Sequence, residues 1–249
     1  LIHTMKQIKK AGKLPIVFAD KDSWTIHQGW DAIDMSSRGS QNNLFQNVLN
    51  GTTVLYEDPI ALDSTRKFLE IRQYGQKQTI NTGYDEAVKK FAKGEAYMFL
   101  QGNWAYPIIK KINPYMDLLF MPFPTYNENQ ARVVVKIDAT LGVSASCKHP
   151  EVAEKFLDYV FSKNVSEYYA DKAGAYSCIK SVDVEDSYAK AFTDSIRSGE
   201  FFLEEFSYET EKSDAINALF QNFISSPQRD TEKSFLKELN DLLIQQKGD

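Results

Sequence analysis

The stretch Gly94–Pro107, which reads GEAYMFLQGNWAYP, decides how the rest of the sequence is interpreted. A helical pattern stops at Gly94, and a glycine there predicts a left-handed helix end. The apolar run of residues 95–101 predicts a buried strand, and Asn103 is typical of the residue that caps a following helix. Trp104 is therefore expected at the carboxyl end of a strand, which is the edge of an α/β layer where ligands usually bind.

Two interpretations of Trp104 stand at this point. A lone tryptophan often fills the core, in this case between the strand and the next helix. The turn at Gly102 and Asn103 before it and Tyr106 two residues after it favour a ligand-contacting role instead. The rest of the chain has to decide between them.

The composition is that of an ordinary globular chain with an acidic balance. Of 249 residues, 43% are hydrophobic and 25% are charged, and the formal net charge is -5. This charge argues against nucleic acid as a partner, because phosphate binding needs a basic surface. No run approaches the ~20 apolar residues of a membrane span. Cys147 and Cys178 show no metal-ligand spacing and are expected to be unpaired.

Helix and strand patterns alternate along the chain, as in an α/β protein. The first is an amphipathic helix over residues 2–11 with Gly12 as its stop. Because that helix begins at once, we interpret the sequence as a mature or truncated piece of a longer protein. Trp30 is expected in the core. The other predicted helices cover residues 26–35, 44–51, 59–74, 85–93, 150–160, 187–197, 213–224 and 231–246, and the predicted strands cover residues 13–20, 95–101, 118–121, 132–137 and 139–146.

Three segments resemble bacterial extracellular solute-binding proteins of the maltodextrin-binding type, which feed ABC transporters. GEAYMFLQGNW is similar to their G-x-A-A-M-x-x-x-G-x-W motif, with Tyr97 as a departure. GKLPIVFADKDSWT, residues 12–25, resembles their G-K-x-P stretch that ends in D-x-W. SCKHPEVAEKFLDYV, residues 146–160, resembles their S-K-[NH]-P-E-x-A-x-x-F pattern. The resemblance covers nearly the whole chain, so we identify it as similar to this family.

The resemblance implies an α/β fold of the type II periplasmic-binding-protein kind, in which a mixed sheet is flanked by helices and the C-terminal part is rich in helices. Residues 1–122 would form the core of the second lobe, and residues 123–170 an inter-lobe crossover with an excursion into the first lobe. Residues 171–249 would pack as helices on the second lobe. Most of the first lobe would be absent, so the excursion is expected to pack imperfectly, to pair with another chain, or to lack its partner.

The implied function is non-catalytic binding of a carbohydrate, an oligosaccharide, for an ABC importer. The partners would be the sugar and the permease subunits, at the extracellular face of the membrane or in the periplasm, with a lipid anchor on the missing N-terminus as the only membrane contact. No phosphate loop, metal-ligand spacing or nucleophile elbow is present in the sequence, and neither a cofactor nor a metal is expected. Two alternatives stay open: a binding protein for a peptide or a metal, and a fragment of a carbohydrate-active enzyme.

The candidate site residues divide into aromatic and polar side chains. By the resemblance, Trp104 would stack on a pyranose face, whose C–H groups match the charge distribution of an aromatic ring. The further aromatic candidates are Tyr106, Trp24 and Tyr176.

The polar candidates carry amide or charged groups, which discriminate the stereochemistry of sugar hydroxyls through paired hydrogen bonds. Asp138 lies at a turn between two strands where the family usually has glycines, so it is either a polar contact or a surface turn. The polar candidates are Asn103, Gln101, Asp138 and Arg38.

Overall fold

Helices make up most of the computed structural model, with short strands between them. It describes residues 1–38, 44–124, 132–136, 140–173, 176–180, 182, 190–199, 201–204, 210–225 and 231–245. The α-helices are α1 (Ile2–Lys10), α2 (Trp24–Arg38), α3 (Leu44–Leu49), α4 (Pro59–Arg72), α5 (Tyr84–Ala92), α6 (Ala105–Ile112), α7 (Pro150–Val160), α8 (Lys163–Ala173), α9 (Lys190–Arg197), α10 (Thr210–Ser225) and α11 (Glu232–Ile244). The strands are β1 (Leu14–Val17), β2 (Ala96–Phe99), β3 (Val133–Lys136) and β4 (Phe201–Glu204), and short 3-10 helices cover Leu55–Glu57 and Thr79–Asn81.

The first sheet consists of β1 and β2, which pair in parallel. A parallel pair needs a long crossover, and α2 to α5 supply it. Both strands are shorter than predicted, and β2 is less buried, since Tyr97 is 58% exposed. The register joins Leu14 to Ala96, Ile16 to Met98 and Val17 to Phe99. The carboxyl ends of the two strands therefore lie side by side at one edge of the sheet.

The second sheet pairs β3 with β4, again in parallel, from Val133 opposite Phe201 to Lys136 opposite Glu204. The sequence predicts β3 but not β4. The strands predicted over residues 118–121 and 139–146 are wrong, because residues 118–121 and 140–146 have no regular secondary structure. A strand needs a neighbour that pairs with its backbone, and no strand of the described residues lies beside either segment.

The main core lies around Trp30, which is fully buried as predicted. Its indole N–H donates to the Thr65 hydroxyl at 3.0 Å, so the one polar atom of the ring is satisfied. Its ring centroid lies 5.8 Å from that of Phe220, which in turn packs edge to face on Phe235 at 4.9 Å. These contacts join α2 and α4 to α10 and α11, and Ile16 of β1 belongs to the same core cluster.

Helix ends follow the local sequence closely. Gly94 has a positive φ of 74°, as the left-handed helix end predicts. Asp58 caps α4, where its carboxylate accepts the Ala61 N–H at 2.7 Å. Thr231 caps α11 in the same way, with the Ser234 N–H as donor at 3.1 Å. The predicted boundaries of these helices are therefore confirmed to within a few residues.

A buried ion-pair network joins the end of α2 to the start of α4. The Arg38 guanidinium donates to Asp34 at 2.5 Å and to Asp58 at 2.8 Å. The Asp34 and Arg38 side chains are only 1% and 5% exposed. Burial of the Asp58 carboxyl by itself disfavours its charged form, but hydrogen bonds from Arg38 and from the Ala61 N–H outweigh this and lower its pKa. Arg38 therefore pairs with one buried carboxylate, Asp34, and with one partly buried carboxylate, Asp58.

Replacement of Arg38 by methionine should strongly destabilise the protein. The substitution would leave the buried Asp34 carboxylate without a cation, and breaking a buried pair in this way costs about 3–5 kcal/mol of unfolding free energy. Urea unfolding followed by circular dichroism measures the loss. The control is Lys163→Ala, which removes an exposed pair with Glu167 and should change the unfolding free energy by less than about 1 kcal/mol. Equal small losses in both variants would contradict the role of Arg38.

Candidate functional site

Three aromatic rings meet where β1 and β2 end. Trp24 is the first residue of α2, Tyr84 is the first residue of α5, and Trp104 directly precedes α6. The ring centroids of Trp24 and Tyr84 are 5.4 Å apart, and those of Trp24 and Trp104 are 6.2 Å apart, with tilted planes in both pairs. We call these three residues the aromatic cluster. Trp24 is its most open member, with 39% of its surface exposed.

The glycine of the Gly-Asn-Trp sequence allows the Trp104 ring to fold back on the chain. A Cβ atom at Gly102 would lie 2.1 to 2.4 Å from three ring carbons of Trp104, so no larger residue fits without moving the indole. The helix begins one residue later than predicted, and its N-cap is Trp104 rather than Asn103. The turn is closed instead by backbone hydrogen bonds, one of which runs from the Tyr106 N–H to the Asn103 carbonyl oxygen at 3.0 Å.

Three polar atoms in or beside the aromatic cluster are buried without a hydrogen-bond partner in the described residues. They are the Trp104 indole nitrogen, the Tyr84 hydroxyl and the Gln101 amide nitrogen. Burial, and then the negative charge of Asp85, raise the pKa of Tyr84 to about 12. The Trp104 indole N–H is close enough to oppose this shift of the Tyr84 pKa, although the two groups form no hydrogen bond of standard geometry. Unsatisfied buried polar groups are uncommon and often mark a site whose partner is a ligand or water.

The space enclosed at the ends of β1 and β2 is small. A cavity of about 10 Å³ lies among the ends of β1 and β2, with Asp20, Thr25, Arg72 and Gln101 in its wall. This volume has room for about one water molecule, whereas pockets for small molecules have volumes of about 300–1,000 Å³. None of the three rings of the aromatic cluster lines this cavity, so the aromatic cluster forms an open wall beside it rather than the lining of a closed pocket.

An ion pair holds the loop that follows β1 on the core. The Arg72 guanidinium pairs with the Asp20 carboxylate, which is buried in the loop after β1. The same guanidinium lies 4.5 Å from the ring centroid of Phe18 and 4.9 Å from that of Phe68. Gln221 of α10 donates to the Asp20 carbonyl oxygen at 3.1 Å. The loop after β1, which leads to Trp24, is thus held on the core by two elements, α4 and α10.

Five of the predicted site residues come together at the edge of the first sheet. Trp24 and Trp104 belong to the aromatic cluster, and the others lie within three residues of Trp104 in the chain. Gln101 accepts the Gly102 N–H at 3.1 Å through its side-chain oxygen. The remaining members of this group are Asn103 and Tyr106, which are both partly buried.

The other three predicted residues lie elsewhere or outside the described part. Tyr176 stacks on Phe192 with ring centroids 4.7 Å apart, and its burial raises its pKa to about 12. Arg38 is a correction: it ends the 15-residue helix α2, about 21 Å along the helix axis from Trp24, and its guanidinium is engaged by Asp34 and Asp58. Asp138 lies outside the described residues.

Tyr84 is the member of the aromatic cluster that the sequence analysis did not select. It is the first residue of a helix that directly precedes β2. A helix that packs against the following strand runs roughly antiparallel to it, so its N-terminus lies near the carboxyl end of that strand. This position, rather than the residue type, is the signal that would have identified Tyr84.

Comparison with known proteins assigns the family. Residues 1–166 match the model of the bacterial extracellular solute-binding proteins, and the chain belongs to this family. The multiple sugar-binding protein of Streptococcus mutans serotype c is 26% identical over 185 residues, which cover 73% of this chain but only 44% of that protein. This chain thus spans about half the length of that relative.

Solved structures of sugar-binding proteins have the same fold. The solute-binding protein RafE in complex with raffinose superposes with a TM-score of 0.77 at 23% identity, over 99% of this chain and 65% of RafE. A sugar transporter protein from Bacillus licheniformis in complex with stachyose superposes with a TM-score of 0.75 at 17% identity, over 97% and 65% of the two chains. The predicted type II periplasmic-binding-protein fold is therefore confirmed, with smaller sheets than expected.

The described residues lack the features of several other kinds of site. They hold no group of three or more His, Cys, Asp or Glu side chains that would bind a metal ion. Cys147 and Cys178 are both free, as predicted. Among these same residues, none of the helices is both long and apolar enough to span a membrane. The aromatic cluster is thus the feature on which a functional proposal rests.

Replacement of Gly102 by alanine should displace Trp104. The new methyl group would overlap the indole ring, and overpacking of this kind costs about 1–3 kcal/mol of unfolding free energy. We expect a changed near-ultraviolet circular dichroism spectrum and a red-shifted tryptophan emission. Gly142→Ala is the control, because a Cβ there meets nothing within 4 Å. An unchanged spectrum in the Gly102 variant would contradict the packing of Trp104 on this glycine.

Proposed function

We propose that this chain is one lobe of a non-catalytic carbohydrate-binding subunit of an ABC importer and that its ligand is an oligosaccharide. The observation that carries the proposal is the aromatic cluster at the shared carboxyl edge of β1 and β2. Such an edge is where ligands bind in α/β folds. The relatives named for multiple sugars, raffinose and stachyose support the same ligand class.

The aromatic cluster suits a sugar for a physical reason. A pyranose ring presents apolar C–H groups on its faces and hydroxyl groups around its rim, so it binds best to aromatic rings with polar groups beside them. Trp24 and Trp104 would contact the sugar faces. Gln101 and Asn103 would bind hydroxyl groups, and Tyr106 would extend the aromatic wall. Because three tilted rings offer several contact planes, an oligosaccharide fits this wall better than a single sugar.

Two further residues, Asp138 and Tyr176, are kept in the proposal on the sequence prediction alone. Asp138 follows β3 in the chain and is kept as a polar contact to the sugar. Tyr176 would contact the sugar from the C-terminal part of the lobe. Arg38 is not retained, because its guanidinium serves the ion-pair network of the core.

We further propose that residues 1–122 form the core of the second lobe, residues 123–170 cross to the first lobe, and residues 171–249 pack back on the second. The support comes from α7, which has no buried residue. Val152, Phe156 and Tyr159 are 61%, 59% and 65% exposed, although their spacing of four and three residues places them on one helical face. Exposed apolar faces of this kind mark interaction sites. The first lobe would cover this face and supply the other wall of the site.

The proposal also covers where in the cell the protein acts and which partners it has. The protein would act at the extracellular face of the membrane or in the periplasm, in keeping with the extracellular family to which the chain belongs. It would deliver its sugar to the permease subunits of the importer, and a lipid anchor on an upstream segment would hold it at the membrane. It would bind the sugar unchanged, as a solute-binding protein rather than an enzyme.

Trp104→Ala should weaken sugar binding. Loss of one stacking ring removes about 1.4 kcal/mol of binding free energy or more, which corresponds to at least a tenfold higher Kd. Thermal-shift and tryptophan-fluorescence titrations of the two-lobed protein against monosaccharides and oligosaccharides measure it, with Tyr115→Ala as the control because Tyr115 is 96% exposed. A response to peptides or to a metal instead of sugars would overturn the proposal, and consumption of the sugar would indicate an enzyme.

Phe156→Gln should leave the stability of this chain by itself almost unchanged. A side chain that is 59% exposed contributes little to folding, so the unfolding free energy should change by less than about 0.5 kcal/mol. Binding of the dye ANS, which reports exposed apolar surface, should fall. The comparison is Phe235→Ala in the core, which should cost about 3–5 kcal/mol. A loss above about 2 kcal/mol for Phe156→Gln would mean that α7 is packed within this chain.

A further inference from the structure

The N-terminus of α5 has no cap in its own sequence. Its N-cap residue is Gly83, which has no side chain to accept a backbone N–H. The Tyr84 N–H donates instead to the carboxylate of Asp22 at 2.6 Å, although Asp22 lies 62 residues earlier in the chain. A carboxylate at a helix N-terminus is favourable because it meets both the unpaired N–H groups and the positive end of the helix dipole.

A second hydrogen bond joins the loop after β1 to the loop before α5. The Lys21 N–H donates to the Thr82 carbonyl oxygen at 3.1 Å. The two loops approach so closely that a Cβ atom at Gly83 would lie 3.2 Å from the Asp22 carboxylate oxygen. The loop after β1 and the loop before α5 are therefore fastened to each other by their backbones and by Asp22.

Asp22 also fixes the start of α2. Its carbonyl oxygen accepts both the Thr25 N–H and the Thr25 hydroxyl, each at 3.0 Å. One residue therefore holds the first turns of two helices, and each helix begins with a ring of the aromatic cluster. Trp24 starts α2 and Tyr84 starts α5, with their ring centroids 5.4 Å apart.

We propose that Asp22 is a positioning residue that sets the placement of Trp24 against Tyr84. The placement itself is a property of the ligand-free chain. Its consequence for sugar affinity rests on the proposed function. Asp22 acts through the rings and makes no contact with the ligand in this proposal, so its removal should disturb the rings first and weaken binding as a result.

The test is fluorine NMR of the 249-residue chain labelled with 5-fluorotryptophan. The chain has three tryptophans, so it gives three signals, and Trp24→Phe and Trp104→Phe assign them. In Asp22→Ala we expect the Trp24 signal to shift or broaden, while the signal of the fully buried Trp30 stays in place. Asp22→Asn keeps an acceptor oxygen of the same geometry and should restore most of the wild-type signal. An unchanged Trp24 signal in Asp22→Ala would overturn the proposal.

Two further variants separate positioning from simple stabilisation. Thr231→Ala removes a comparable helix cap at α11, far along the chain, and should leave the Trp24 signal unchanged. In the Asp22→Ala background, Gly83→Ser would supply α5 with a local cap at an ordinary φ of -83°. This double variant should recover thermal stability without recovering the Trp24 signal. Recovery of both would mean that Asp22 only stabilises α5, and the proposal would be wrong.

Sugar titration of the same variants in the two-lobed protein completes the test. We expect a Kd about tenfold higher in Asp22→Ala and close to the wild-type value in Asp22→Asn and Thr231→Ala. An Asp22→Ala variant with a displaced Trp24 signal and unchanged affinity for a sugar that the wild type binds would overturn the link to binding. If the wild type binds no sugar, the proposed function fails, whereas the placement of Trp24 by Asp22 is still decided by the NMR signals.

Discussion

The parallel pairing of β1 with β2 is the constraint on which the rest of the described structure depends. Parallel strands cannot be joined by a tight turn. After β1 the chain therefore forms α2 to α5 and then enters β2 at the end of the sheet where β1 began. The carboxyl ends of both strands then lie at one edge of the sheet. The residues that follow them, with Trp24 after β1 and Trp104 after β2, meet there even though they are far apart in sequence.

Polar residues at helix ends fix the helices that flank this edge. Asp58 caps α4 and also receives Arg38 from α2, while Asp22 caps α5 from the loop that leads into α2. In each case one aspartate joins two helices, so the orientation of a helix depends on a residue outside it. Polar side chains therefore have different roles. Arg38 is part of the core. Gln101 lies beside the aromatic cluster, and its buried amide nitrogen has no partner in the described residues.

The exposed apolar surface has a different meaning from the buried core. The faces of α10 and α11 that carry Phe220 and Phe235 are fully buried in the main core. The face of α7 that carries Phe156 is open, although the helix has the same amphipathic character. Taken with a chain that spans 44% of its Streptococcus mutans relative, the contrast supports a site whose second wall lies on another lobe.

The sequence by itself determined the local features: helix ends such as Gly94, Asp58 and Thr231, the buried Trp30, and the position of Trp104 after a strand. The helix ends depend on interactions within a few residues, which local patterns record, and the burial of Trp30 follows from the general preference of a large apolar side chain for the core. Tertiary structure alone decided which segments pair as strands, that Tyr84 joins Trp24 and Trp104, and that Arg38 belongs to the core. Strand pairing and side-chain partners bring together residues that are distant in sequence, and the pattern around each residue does not specify the other.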